Sequence, residues 1–299
     1  MATLYTHQTQ NVRKTWLLMT VFFIVVIGIA WAFSYIQDNP AILYFGVVFS
    51  LVMNILGYWY SDTIAIKMSG ARPVTREQYF DYWNAVENLS ITAGLPMPKI
   101  YVIDDSSPNA FATGRDKEHA AIAATSGLLQ IMNKTELEGV IAHELSHIGN
   151  RDTLLSTAVV VLVGFIAIIS DMSMRMTFWG GGRRDRDEGG GILMILGIIL
   201  AILAPIIAQL IQLAISRKRE FLADASGALL TRYPDGLASA LEKISTYPTG
   251  LQRVSTATAH LYISNPLKDG KAMSFISKLF MTHPPTEERI AALRDMDHS

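Results

Sequence analysis

From Trp16 to Ile36 the chain carries no charged side chain, and as a helix rising ~1.5 Å per residue this stretch is about 31 Å long, the thickness of a bilayer's hydrocarbon core. No other feature constrains the fold as strongly, because backbone in hydrocarbon must satisfy its own hydrogen bonds and a helix does so within one segment. A secretory signal peptide is the competing reading. Its apolar region would be about 7–15 residues long and end at a small-residue cleavage site, which Tyr35-Ile36-Gln37-Asp38 does not supply. After Asp38-Asn39-Pro40, a second charge-free run extends from Ala41 to Tyr60 and ends in the aromatic cluster Tyr58, Trp59 and Tyr60, as interfacial residues do. Residues 1–60 read as a transmembrane hairpin. With 50% hydrophobic and only 17% charged residues, the whole chain is too apolar for an ordinary soluble protein.

Lys and Arg concentrate on cytoplasmic flanks. Arg13 and Lys14 precede the first run, Lys67, Arg72 and Arg76 follow the second, and the turn between holds only Asp38. Both ends of the hairpin are therefore expected in the cytoplasm. Two later runs, Thr153–Ser170 and Gly189–Ser216, flank a Gly- and Arg-rich loop and read as a second pair of spanning helices or, alternatively, as a buried helical hairpin or re-entrant pair. That loop has no strand before it and no Gly-Lys-Ser/Thr ending, so it is a poor phosphate cradle.

Residues 61–152 have ordinary charge density. Thr75-Arg76-Glu77-Gln78 has capping-box form ahead of helically spaced Tyr79, Tyr82, Val86, Leu89 and Ala93, which Gly94 and Pro96 stop. Three short apolar runs, Ile100–Ile103, Ala110–Thr113 and Ala120–Ala124, predict a small, mostly antiparallel sheet. Thr135-Glu136-Leu137-Glu138 repeats the capping-box pattern before another helix. The expected fold class is an α+β membrane protein: a mainly helical domain with a small antiparallel sheet, assembled from 61–152 and 217–299, and about four transmembrane or membrane-embedded helices in segments 1–60 and 153–216.

The balance of 25 basic and 26 acidic residues leaves a net charge of -1, which offers no positive field to hold nucleic acid. Without cysteine, a metal site must use His, Asp and Glu. His143-Glu144-Leu145-Ser146-His147 meets that need. Residues four apart share a helix face, so His143 and His147 can aim at one zinc ion while Glu144 projects beside it as a general base. Zinc with two imidazoles and one carboxylate keeps a fourth position for water and lowers its pKa toward about 7. Only 7 histidines occur in 299 residues, so a chance match competes weakly. Arg219-Glu220-Phe221-Leu222-Ala223-Asp224 supplies the third ligand, Glu220, and a carboxylate at i+4, Asp224, to orient an imidazole. Alternatively, Glu220 is a juxtamembrane charge paired with Arg217 or Lys218.

Jointly with the hairpin, the motifs Asn109-Ala110-Phe111-Ala112-Thr113-Gly114, His143–His147, Glu220–Asp224 and His283-Pro284-Pro285-Thr286-Glu287-Glu288-Arg289-Ile290 give a chain that resembles the HtpX-like membrane zinc metalloproteases. These are gluzincins related to the prenyl-protein endoproteases. The resemblance implies a multi-pass endopeptidase of the bacterial inner membrane with one Zn2+ per chain and its catalytic domain in the cytoplasm. It implies a stress-response role, degrading unfolded or misfolded membrane proteins beside other membrane quality-control proteases. Asn109, Ala110, Phe111, Ala112 and Thr113 would form a strand that either pairs with substrate at a sheet edge or lies inside the sheet. His283 would donate to the transition state and Arg289 would brace the site through a carboxylate; alternatively, Thr286 with Glu287 and Glu288 marks a plain helix start. His7, His119, His260 and His298 have no partner at ligand spacing and read as surface or structural. A prenyl-protein endoprotease, a transporter and a non-catalytic metal scaffold are the alternatives; the first needs more helices, the second intramembrane charges, and the third no Glu144.

Overall fold

The computed structural model describes residues 4–36, 38–163, 217–251, 258–264, 266 and 284–296. Helix α1 (Leu4–Ile36) and helix α2 (Ala41–Trp59) form an antiparallel hairpin turned at Asp38, whose φ is 47°. Both are long and apolar enough to cross a bilayer, with mean hydropathy 2.3 over Gln8–Ala32 and 1.9 over Ala41–Trp59. Neither is a core helix. Trp16, Leu17, Ile24, Trp31, Tyr44, Phe45 and Val48 face outward, far more exposed apolar surface than a soluble monomer tolerates.

Among the described residues these are the only two helices that meet the spanning criterion, against an expectation of about four. The third apolar run begins as helix α7 (Asp152–Val163), whose Leu155, Val159, Val160 and Leu162 pack on Leu18, Met19 and Phe22 of α1. The remainder of that run, the Gly/Arg loop and the fourth run lie outside the described residues.

Helix α3 (Ser61–Met68) leads into a four-stranded sheet of β1 (Arg72–Pro73), β2 (Lys99–Ile103), β3 (Ala110–Gly114) and β4 (Ala120–Thr125). Its order is β1-β2-β4-β3, and it is mixed: β2 runs parallel to β4, while β1–β2 and β3–β4 are antiparallel. This corrects the antiparallel expectation. The segment 104–109 is not a hairpin turn but a crossover that lets β4, every residue of it buried, take a central place. The crossover is held by the Ser126 hydroxyl, which donates to the Asp105 carbonyl (3.0 Å), and by the Asn109 N–H, which donates to Thr125 Oγ1 (2.9 Å). Ile100, Val102, Ala112 and Ile122 face the main core, whereas Ile103, Phe111, Ala121 and Ala123 face Ile66 and Tyr262 on the opposite side.

Helix α4 (Phe80–Ala93) ends at Gly94 in the left-handed conformation. Its start lies later than the Thr75 pattern suggests: Gln78 Oε1 accepts from the Thr75 N–H (3.1 Å), closing a turn ahead of the helix. After helix α5 (Ser126–Ile131) comes the central helix α6 (Lys134–Gly149), packed against α4, β3 and the helices Arg217–Thr231 and Pro234–Thr246. Its capping box is formed by Asn133 and Glu136 rather than Thr135 and Glu138. The Thr135 hydroxyl donates to Asn133 Oδ1 instead, because Asn133 already occupies the cap and Thr135 lies within the first turn. Helices α8 (Arg217–Thr231), α9 (Pro234–Thr246) and α10 (Thr286–Met296) complete the domain. Two glycines set the helix spacing. A Cβ on Gly227 of α8 would lie 3.0 Å from the His143 backbone nitrogen, and one on Gly139 of α6 would lie 2.7 Å from that of Leu237. Close approach at Gly227 is what brings Glu220 and Asp224 within reach of α6.

Candidate metal centre and active site

α6 is buried through almost its whole length between Glu136 and Ile148, so its histidines project into protein rather than water. His143 Nε2 and His147 Nε2 lie 3.1 Å apart. Glu220 from α8 faces both, with Oε1 3.6 Å from His147 Nε2 and Oε2 3.9 Å from His143 Nε2. One ligand atom from each of the three lies within 4.8 Å of the others. Tetrahedral nitrogens at ~2.0–2.1 Å from zinc sit about 3.3 Å from each other, so the spacing and the N/N/O donor set fit such an ion. Glu220 points at the imidazoles and at Arg289 Nη1 (3.6 Å), not outward to Arg217 or Lys218.

Each imidazole has a carboxylate behind it. Asp224 Oδ1 lies 2.9 Å from His143 Nδ1, set off the ideal N–H direction, and Asp152 Oδ2 lies 3.0 Å from His147 Nδ1. Arg289 clamps Asp224 from both sides, Nε donating to Oδ2 (2.8 Å) and Nη2 to Oδ1 (2.7 Å), while Nη1 donates to the Ile263 carbonyl (2.9 Å). Asp152 arrives by a break in the helix. Asn150 caps α6 and Arg151 adopts a φ of 58°, which turns the chain so that the first residue of α7 points back at the last turn of α6. The helix is therefore interrupted between His147 and Thr153, and the interruption places a carboxylate at the site.

Burial pushes the Glu144 carboxyl up to about 7, assisted by the Glu220 charge, although His147, the Ala112 backbone and Arg289 pull the other way. Burial lowers His143, favouring the neutral imidazole that binds metals. Burial would lower His147 too, but the Asp152 hydrogen bond and the charges of Glu220, Asp152 and Glu144 outweigh it and push its pKa up to about 9. The field at this point favours positive charge, which is what a cation site requires.

Among the described residues β3 is the last strand of the sheet. Its residues separate by role. Phe111 packs edge-to-face on Tyr262, with 5.1 Å between ring centroids. Thr113 Oγ1 lies 2.9 Å from Thr157 Oγ1. Asn109 Nδ2 donates to the Ser264 carbonyl (2.9 Å), and the Ala110 carbonyl accepts from the Ile263 N–H (2.9 Å). Ala112 lines the cleft with Glu144, His147, Glu220 and His260. His260 is thus buried at the cleft, with Nε2 3.1 Å from the Ser156 carbonyl, whereas His119 is a surface residue paired with Asp116 (2.6 Å). His283 lies outside the described residues, as do the positions just before Pro284. Asp152 and His260 carry no motif and escape a reading of spacing; a carboxylate five residues past His147 is the one available signal.

Residues 81–297 match the model of peptidase family M48. The chain belongs to that family. This M48 protease is 47% identical over 302 residues to a protease HtpX homolog of Thermoanaerobacter pseudethanolicus, with 98% of each chain covered. It is also 47% identical to one of Tropheryma whipplei, again with 98% of each covered, and 45% identical to one of Streptococcus uberis, covering 98% of this chain and all of that one. Among solved structures it is similar to Ste24p of S. mikatae, with 20% identity, a TM-score of 0.49, and 94% of this chain and 66% of that one covered. The M48 protease is a metalloprotease, and with its two apolar helices and its HtpX relatives it is a membrane protein.

Proposed function

We propose that this M48 protease is a zinc endopeptidase of the bacterial inner membrane that hydrolyses peptide bonds of misfolded or damaged membrane proteins at the cytoplasmic face. The observation that carries the reading is the convergence of His143 Nε2, His147 Nε2 and a Glu220 carboxylate oxygen within 4.8 Å, beside the buried Glu144. These three residues would hold one Zn2+. Bound there, zinc supplies Lewis-acid polarisation of a carbonyl and acidifies water.

The chain's own groups do the rest. Glu144, with its carboxyl near 7, accepts the proton of the attacking water and returns it to the leaving amide nitrogen. Asp224, gripped by Arg289, orients His143. β3 carries Ala112 to the wall of the cleft, and pairing of an extended substrate with the backbone of this outer strand would select for unfolded segments without reading their sequence. His283 is assigned to transition-state donation on the resemblance alone. The catalytic domain is assembled from 61–152 and 217–299, with 1–60 and 153–216 as membrane segments, and works alongside other quality-control proteases.

Location supports the substrate class. Asn11 of α1 contacts the turn that follows His147, its Nδ2 donating to the Asn150 carbonyl (3.1 Å), and the charge-free run begins five residues later at Trp16, about 7.5 Å along the helix. The site therefore lies at the membrane surface, where segments leaving the bilayer arrive first. Co-reconstitution in vesicles tests this: a single-span protein with an unfolded flank should be cleaved far faster than a folded soluble protein of equal concentration. Equal rates for the two contradict the proposal.

A further inference from the structure

Asp152 and Asn11 connect the metal cluster to the membrane anchor. Asn11 is 4% exposed, in the polar opening turns of α1 ahead of the apolar run, and a carboxamide buried there costs free energy unless it is hydrogen-bonded. Both of its N–H bonds are used: Nδ2 donates to the Asn150 carbonyl (3.1 Å) and to Asp152 Oδ1 (2.7 Å). Arg219 Nε approaches the same oxygen at 3.4 Å. The other oxygen, Oδ2, faces His147 Nδ1 at 3.0 Å. Asp152 is itself 3% exposed, so its orientation is set by these partners and not by water.

We infer that Asp152 is a positioning residue for His147 and that Asn11, on the first membrane helix, acts through it. The carboxylate accepts a hydrogen bond from His147 Nδ1–H, which keeps the proton on Nδ1 and the lone pair on Nε2, the atom that faces His143 and Glu220. The Asn11 carboxamide holds Oδ1, so Oδ2 keeps its aim. The family match begins at residue 81, so this brace comes from outside the matched region, from the helix that anchors the protein. The inference rests on the zinc reading of the cluster.

The test is zinc affinity of the full-length protein in detergent, measured by competition with a chromophoric chelator. Asp152→Asn should weaken binding by about 10-fold or more, the range for groups that support metal-bound histidines. Asn11→Ala should weaken it several-fold, and should add nothing in the Asp152→Asn background, since a residue acting through another is non-additive with it. Gln8→Ala is the control. It removes another bond from α1 to the same turn, Gln8 Nε2 to the Gly149 carbonyl (2.7 Å), without touching Asp152, and should leave affinity unchanged. If Asn11→Ala does not accumulate, the near-isosteric Asn11→Leu gives the same readout. Unchanged affinity in the Asn11 variant, additivity with Asp152→Asn, or an equal loss in Gln8→Ala would overturn the inference. A wild-type protein that binds no zinc overturns the zinc reading instead, which separates the two failures.

Discussion

Glu144→Gln is expected to lower kcat/KM for an unfolded protein by about 10²–10⁴-fold, the contribution of a positioned general acid–base group, while zinc content stays at the wild-type level. Glutamine preserves the shape of the side chain and removes its capacity to take a proton. Glu144 is not among the three clustered residues, so metal content should be indifferent to the change. Folding should be indifferent as well, because burial already disfavours the ionised form of Glu144 and glutamine carries no charge to desolvate. Steady-state kinetics beside metal analysis check both statements. A variant with wild-type kcat/KM would remove Glu144 from the mechanism, and one that loses zinc would make it a ligand or a structural support.

Arg289→Met is expected to destabilise the protein by about 3–5 kcal/mol, the cost of breaking a buried ion pair from one side. Arg289 is 2% exposed, and Asp224, its bidentate partner, is also 2% exposed. Without the guanidinium, the buried carboxylates of Asp224 and Glu220 would have no counter-charge from α10, and the Ile263 carbonyl would lose its donor. Arg289→Lys should recover only part of the loss, since one ammonium cannot donate along both Asp224 oxygens and to Ile263 at once. Thermal midpoints in detergent decide the matter. A Met variant as stable as wild type would show that the Asp224–Arg289 pair contributes nothing net.

The elements that bring the cluster together are visible in local patterns. His143 and His147 are four apart on a helix with a capping signal, and Glu220 and Asp224 repeat that spacing on a second helix. Three of the four strands were legible to within a residue at either end because short apolar runs and turn residues are local signals; β1, only two residues long, was not. The sheet order was not, since a polar segment such as 104–109 can close a hairpin or cross beneath a strand, and only the burial of β4 decides. The capping box shifted to Asn133 because two acceptable caps lie two residues apart and the sequence ranks neither. Asp152 depends on the left-handed Arg151, a conformation that a non-glycine residue does not advertise. Asn11 depends on a contact across 141 residues, and no periodicity reports that. Four membrane helices were expected from apolar runs alone; among the described residues two meet the length, and α7 opens instead as part of the packed interface with α1.

On the proposed function, proteolysis depends on one zinc held by His143, His147 and Glu220. The most direct test measures metal content and cleavage of an unfolded protein together, for the detergent-purified chain before chelation, after chelation and after zinc is restored, with Glu220→Ala in parallel. The expected result is one zinc per chain, activity that falls and returns with it, and a Glu220→Ala protein that is folded but depleted of zinc and inactive. Undiminished cleavage by the metal-stripped chain would contradict it.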